Sequence, residues 1–239
     1  MISLDQLLVL DIETVTQQPD FGKLPERMRL LWGKKAKTIK NDAELSVEEL
    51  YFDRGAIYAE FGKIVCISAG FFLKENDELH FRVKSFISDK ENELLESFKS
   101  VVETKFDQKK LILVAHNGKE FDFPYMARRM LINEIPLPEC LRMAGKKPWE
   151  VQHLDTMELW KFGDRKSYTS LDLLAAIFDV ASSKQDIDGS MVNEVYHHDH
   201  DLDKISEYCM RDVAVTAQIF LKMNTLPVVK EENISFIST

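Results

Sequence analysis

Cysteine is scarce in this chain of 239 residues: only Cys66, Cys140 and Cys209 occur, far apart. An odd, sparse set makes no disulfide framework and lacks the spacing of a zinc site, so the three are expected as reduced core thiols. Long apolar runs are missing too. None approaches the ~20 residues that span a bilayer, and no basic leader with a cleavage-site pattern follows Met1, so a cytoplasmic protein with no membrane segment is expected. Positive charge is in deficit, with 31 Lys and Arg against 40 Asp and Glu and a net charge of −9. That balance excludes a generic duplex-coating protein, because phosphate neutralisation drives such binding. It leaves room for an enzyme that holds a strand end through bound cations, where the metal carries the positive charge that the protein lacks. There is no Gly-rich phosphate loop, which argues against an α/β phosphatase or nucleotide-binding protein. Repeats and low-complexity tracts are absent as well.

Hydrophobic residues make up 45% and recur throughout. A sizeable core is therefore available, and residues 1–239 are expected to form a single domain. Leu7 to Ile12 is a short apolar run ending in acids and reads as a buried strand. Residues 17–60 are polar and charged with a partly helical pattern, which suggests a helical insertion after the first strand. Lys63 to Lys74 and the alternating Leu79 to Phe86 read as a hairpin joined at Glu75-Asn76-Asp77-Glu78. Glu91 to Phe106 has helical spacing. Leu111 to Ala115 reads as a strand, a loop with Asn117 and Gly118 follows, and a helix runs from about Phe121 to Leu131. Val151 to Asp155 suggests a short strand and Leu171 to Phe178 a helix. Ser182 to Asn193 is a polar connection, and Leu202 to Met223 is a long helix with Asp201 as its cap. The fold class is α/β, with a mixed five-stranded sheet flanked by helices.

Three short motifs carry candidate chemistry. Asp11 and Glu13 in Leu10-Asp11-Ile12-Glu13-Thr14 share one face of a strand. Two carboxylates so placed repel each other and resist burial, and a hard divalent cation would resolve both problems; a strand end exposed to solvent would resolve them equally. Asp122, in His116-Asn117-Gly118-Lys119-Glu120-Phe121-Asp122-Phe123-Pro124, lies near a helix N-terminus where the macrodipole favours the ionised form. It either serves a site or caps that helix. Asn117 either positions a strand end or satisfies its own turn. Tyr208 and Asp212 lie at i and i+4 of the last helix and therefore on one face of it.

Together and in this order, the motifs resemble the DEDD superfamily of 3′–5′ exonucleases in its Tyr-containing branch. They are similar in particular to free-standing relatives of the proofreading domain of family B DNA polymerases. Asp11-Ile12-Glu13, Phe121-Asp122-Phe123-Pro124-Tyr125 and Glu207-Tyr208-Cys209-Met210-Arg211-Asp212-Val213 carry the likeness. Ala59-Glu60-Phe61-Gly62-Lys63-Ile64 and Asp188-Gly189-Ser190-Met191-Val192 add to it, so that it runs from about Leu7 to Met223. The resemblance implies an RNase H-like fold and a two-metal mechanism with Mg²⁺ or Mn²⁺. By that resemblance Asp11 bridges both ions, Glu13 and Asp212 complete the shell of the first, and Asp122 supports the second. Tyr208 orients the attacking water; a phenol with a pKa of about 10 is a poor base at neutral pH. Thr14, Asn117 and Phe121 are the implied substrate contacts. The implied partner is a single-stranded 3′ end, DNA in preference to RNA, with nucleoside 5′-monophosphates released. An RNA exonuclease of the RNase D kind uses the same chemistry, and a non-catalytic nucleic-acid-binding module on this fold should lack one of the acids. At this length no polymerase domain in cis is expected, and the residues specify no oligomeric state.

Other clusters are weighed separately. His197-His198-Asp199-His200-Asp201 suggests a metal cluster, but consecutive residues rarely converge on one ion, and a solvated loop with a helix cap is expected. The basic run from Lys23 to Lys40 either tracks phosphates, with Trp32 for base stacking, or is the solvated face of a helix. Asp155 and Asp172 stand in similar acidic contexts and are left outside the catalytic set.

Overall fold

The computed structural model describes residues 3–164, 168–182 and 187–237. Residues 183–186 of the connection from Ser182 to Asn193 lie outside them. The first strand, β1 (Leu7–Thr16), runs four residues past the apolar stretch because it stays paired with β2 (Gly62–Glu75) to its end. Between them come α1 (Glu26–Ala36) and α2 (Val47–Arg54), inside the segment expected as an insertion. Ser46 and Glu49 form a reciprocal cap at the start of α2, satisfying two otherwise orphaned amides.

β2 turns into β3 (Glu78–Ile87) through Asn76 and Asp77, with φ of 49° and 64°. Two successive left-handed residues make the turn that matches strand twist, and Asn and Asp tolerate that conformation. Next come α3 (Glu91–Lys105), β4 (Ile112–Ala115), α4 (Asp122–Ile132), β5 (Leu154–Asp155), α5 (Thr156–Lys161), α6 (Leu171–Ile177) and α7 (Val192–Glu194). The chain ends with α8 (Leu202–Met223) and β6 (Ile234–Ile237).

The sheet is mixed, as expected, but has six strands in the order β5-β4-β1-β2-β3-β6 rather than five. The added strand, β6, lies parallel to β3, Phe81 opposite Ile234. Its four residues are too few to show a period, so its pairing rests on where α8 delivers the chain. The expected strand from Val151 shrinks to Leu154–Asp155. His153 turns inward just before it, accepting at Nδ1 from the Leu113 amide (3.1 Å) and bonding the Cys140 carbonyl through Nε2 (2.6 Å).

Alternation divides β1 between two cores. Leu8, Leu10 and Ile12 pack with Leu94 and Phe98 of α3 and Phe123 and Met126 of α4. Leu7 and Val9 pack with Met210, Val213 and Ala217 of α8. Asp11 and Glu13 continue the second face, so α8 lies over carboxylates where β1 stops being apolar. A β-bulge falls there too: Glu13 faces Cys66 but Thr14 faces Ile64, leaving Val65 as an extra residue in β2.

A buried ion pair ties α3, α4 and β2 together. Glu91 accepts from Arg129 Nε (2.8 Å) and Nη2 (2.5 Å), from Asn133 (2.9 Å) and from the Ile64 amide (2.7 Å). Arg129 also donates to the Ala59 carbonyl at 2.8 Å. Removing one partner would strand a buried charge, which costs about 3–5 kcal/mol. Arg129→Ala should lose that much stability in urea denaturation. A loss below about 1 kcal/mol, ordinary for an exposed pair, would show that the network does not hold the helices.

Candidate active site

β1 delivers Asp11 and Glu13 to the underside of α8. Glu13 is buried and Asp11 half-buried. Burial, then the negative charges of Asp122 and Asp212, push the Asp11 carboxyl well above the ordinary range. Burial and the charges of Asp11 and Asp212 do the same to Glu13. Among the described residues, no Lys, Arg or His forms an ion pair with Asp11, Glu13 or Asp122.

β4 pairs with β1 only from Leu7 to Val9, so beyond that point β1 has no strand on this edge. Asp122 takes the vacant place, accepting from the Ile12 amide at 3.1 Å. It does not cap α4, since Phe121 holds the cap position. Burial outweighs its two amide hydrogen bonds and moves its pKa up to about 7, with Asp155 and Asp212 pushing the same way. The loop that aims it is tightly built. Asn117 is left-handed, with φ 64°, and a Cβ on Gly118 would sit 2.4 Å from that of Ala115.

α8 supplies the rest. Tyr208 and Asp212 do stand one turn apart, close enough for the carboxylate to act on the phenol. Burial, then the charges of Asp212, Glu13 and Asp11, drive the Tyr208 hydroxyl far above its usual value, so it stays protonated and acts as a donor. Ile187 and Val192 pack in the same cluster as Tyr208, and Gly189 faces its hydroxyl. The structure thus brings Asp11, Glu13, Asp122, Tyr208 and Asp212 into one neighbourhood.

The remaining expected residues are more peripheral. Thr14 lies beside the Tyr125 hydroxyl, on the opposite face of β1 from Asp11 and Glu13. Phe121 packs against Tyr125, ring centroids 5.3 Å apart. Asn117 is half-buried, and its Oδ1 is buried without a hydrogen-bond partner.

Two residues acquire roles that the sequence did not reveal. Cys209 places its thiol 3.4 Å from Asp11 Oδ2 and 3.5 Å from the Asp11 carbonyl, and one ligand atom each from Asp11, Glu13 and Cys209 lie within 4.8 Å of one another. Burial raises the thiol well above its usual value, so Cys209 stays protonated and donates a hydrogen bond to Asp11 rather than adding charge. Its place one residue after Tyr208 was the available signal. Asp155 is fully engaged as a brace: it accepts from the Asn117 and Lys119 amides (3.0 and 3.1 Å) and from those of Met157 and Glu158 (2.9 and 3.2 Å). It therefore ties the Asn117 loop to α5. Asp172 bonds Ser182 at an exposed position.

The His-rich stretch is not simply solvated, as had been expected. Val195–Asp199 forms a π-helical turn, and His197 Nε2 bonds both the hydroxyl and the carbonyl oxygen of Thr16 at 3.0 Å. Asn193 accepts from the Thr16 amide (2.9 Å) and donates to the Phe52 carbonyl (2.9 Å). This turn fastens the end of β1 to α2, while Asp201 caps α8 through the Lys204 amide at 2.9 Å, as expected. Among the described residues no metal-type cluster forms here. No helix among them is long and apolar enough to cross a membrane.

The mixed six-stranded sheet flanked by helices is an α/β fold similar to that of a polymerase exonuclease domain. The chain is similar to the family B DNA polymerase from the hyperthermophilic archaeon Pyrobaculum calidifontis, with a TM-score of 0.56 and 16% identity over 90% of its residues. It spans only 24% of that polymerase's length. The chain belongs to the family described as "Predicted 3'-5' exonuclease related to the exonuclease domain of PolB", whose model matches residues 57–233. That match contains Asp122, Tyr208 and Asp212; Asp11 and Glu13 precede it.

Raised carboxyls link the pocket to stability. A group whose pKa is higher folded than unfolded makes the native state bind more protons between the two values, and stability falls as pH rises across that window. For Asp122 the window runs from the ordinary carboxylate range, near 4, to about 7, and Asp11 and Glu13 are shifted in the same direction. In chelator, the melting temperature should therefore drop between pH 5 and pH 7.5. Asp122→Asn should flatten that drop, and an unchanged slope would mean that Asp122 ionises normally.

Proposed function

We propose that the chain is a single-domain 3′–5′ exonuclease that removes nucleoside 5′-monophosphates from the 3′ end of single-stranded DNA with two divalent cations, Mg²⁺ or Mn²⁺. The observation that carries this reading is the convergence of Asp11, Glu13, Asp122 and Asp212 around a buried strand end. The donor set fits the cations: hard carboxylate oxygens, mutually repelling, with no Lys, Arg or His among the described residues in an ion pair with Asp11, Glu13 or Asp122. The family and the polymerase-like fold support a nuclease and favour DNA.

Asp11 would hold both cations, Glu13 and Asp212 the first, and Asp122 the second. When bound, such ions lower the pKa of water and neutralise charge on the leaving oxygen. Tyr208 stays protonated through the reaction; it orients the attacking water and does not remove its proton. Asp212 fixes the direction of the Tyr208 hydroxyl. The Cys209 S–H, donated from α8, holds Asp11 in place. Asn117, with an acceptor oxygen that has no protein partner, contacts the terminal nucleotide together with Thr14 and Phe121.

The test uses matched 5′-labelled DNA and RNA oligonucleotides with Mg²⁺, Mn²⁺ or chelator. A ladder shortening from the 3′ end of DNA is expected with metal only; faster loss of RNA would reassign the substrate. Asp11→Ala and Asp212→Ala should each cost well over ~100-fold in turnover, since even outer-shell changes at metal sites cost about 10–100-fold. Wild-type activity in Asp11→Ala would sink the assignment. Tyr208→Phe should slow cleavage by ~10-fold or more while metal binding, read by calorimetry, is unchanged. Equal turnover would remove Tyr208 from the mechanism.

A further inference from the structure

α1 has an outer face that the exonuclease pocket leaves unused. From Lys23 to Lys40 the chain carries seven basic residues against one acid, Glu26, within a protein of net charge −9. Lys40 pairs with Asp42, and Lys35 stands 4.3 Å from the centre of the Tyr58 ring. Lys23, Arg27, Arg29, Lys34 and Lys37 are exposed. None of those five has a side-chain ion pair or hydrogen bond among the described contacts. Such a cluster repels itself and is relieved by an anionic partner.

Its pattern narrows the partner. Arg27, Leu30, Leu31 and Lys34 fall at i, i+3, i+4 and i+7 and so share one helix face. Leu30 is 64% and Leu31 42% exposed, flanked by the two cations. A single strand offers phosphates at regular intervals with apolar base faces between them, which is the complement of this stripe.

The opposite face of α1 holds the stripe rigidly. Trp32 is fully buried, donates to the Val47 carbonyl at 2.9 Å, and packs edge-on against Tyr51 (5.5 Å) and Phe61 (5.0 Å). This corrects the expectation that Trp32 could stack on bases: it is the core of the insertion. α2 in turn is fixed to the end of β1, with the Tyr51 hydroxyl accepting from the Gln18 amide at 3.2 Å. The stripe therefore stands at the end of β1 that carries the carboxylates. It also precedes residues 57–233, the part matched by the family model.

We propose that the outer face of α1 is a docking strip for the nucleic-acid strand upstream of its 3′ end, with Arg27 and Lys34 on phosphates and Leu30 and Leu31 against bases. The identity of the strand rests on the exonuclease reading; the strip itself does not need cleavage.

Binding of a fluorescein-labelled thymidine oligonucleotide of ~20 residues, long for a single-strand site of about 4–16 nucleotides, is measured in chelator at several salt concentrations. Arg27→Glu/Lys34→Glu should weaken binding about tenfold and reduce the salt slope by ~1.4, at ~0.7 per phosphate contact. Arg27→Lys/Lys34→Arg should bind as the wild type does. Turnover of thymidine 5′-p-nitrophenyl phosphate with Mn²⁺, a substrate too short to reach α1, should be equal in all three. Wild-type affinity in the Glu variant overturns the strip, as does a wild type that fails to bind. Equal loss in the conservative variant overturns its charge basis. A wild type that binds through α1 yet cleaves neither substrate would sink the nuclease reading alone.

Discussion

The geometry of the protein turns on the cost of gathering negative charge beneath a helix. β1 is apolar on both faces as far as Leu10, and α8 packs on one of them through Met210, Val213 and Ala217. Two residues further along the same face the strand offers Asp11 and Glu13, and the helix offers Tyr208 and Asp212. The helix cannot cover the first set without meeting the second. What the protein adds around these acids is telling. The Ile12 amide, the Cys209 thiol and the Tyr208 hydroxyl contribute partial positive charge, and among the described residues no full one is paired with Asp11, Glu13 or Asp122. Dipoles of this sort hold carboxylates in position but do not discharge them, and the divalent cations proposed above would supply the missing charge.

Most of the framework could be read from the residues because each element declares itself locally. Asp11 and Glu13 share a face by strand alternation, and Tyr208 and Asp212 share one by helical spacing. Asn76 and Asp77 mark their turn by tolerance of positive φ. What escaped was set by distant partners. β6 depends on where the chain returns after α8. The burial of Trp32 depends on α2 and Phe61, and a basic helix gives no sign of what its other face meets. His197 became a tie because Thr16 is the end of a strand some 180 residues earlier, at a separation of 181.

The site is framed by ties rather than by a large core of its own. Asp155 gathers four backbone amides from two segments, and that saturation distinguishes it from the neighbouring acids: it has no spare demand for a cation. Asn193 and His197 bind the far end of β1 to the helical insertion. The carboxylates therefore lie between the Asn117 loop, which leads to Asp122, and the join of α2 to the end of β1, with α1 packed against α2. This arrangement couples a segment rich in positive charge to a cluster of carboxylates.

The bond between Asp122 and the Ile12 amide carries a further consequence. One carboxylate oxygen stands in for a missing strand, completing the edge of β1 where β4 has already stopped. Turning the group to present both oxygens to a ligand would strand a buried amide, at a cost of about 1–3 kcal/mol. In the cation site proposed above, Asp122 would serve most readily through its other oxygen. The same side chain that seals the sheet also sets how firmly it can grip.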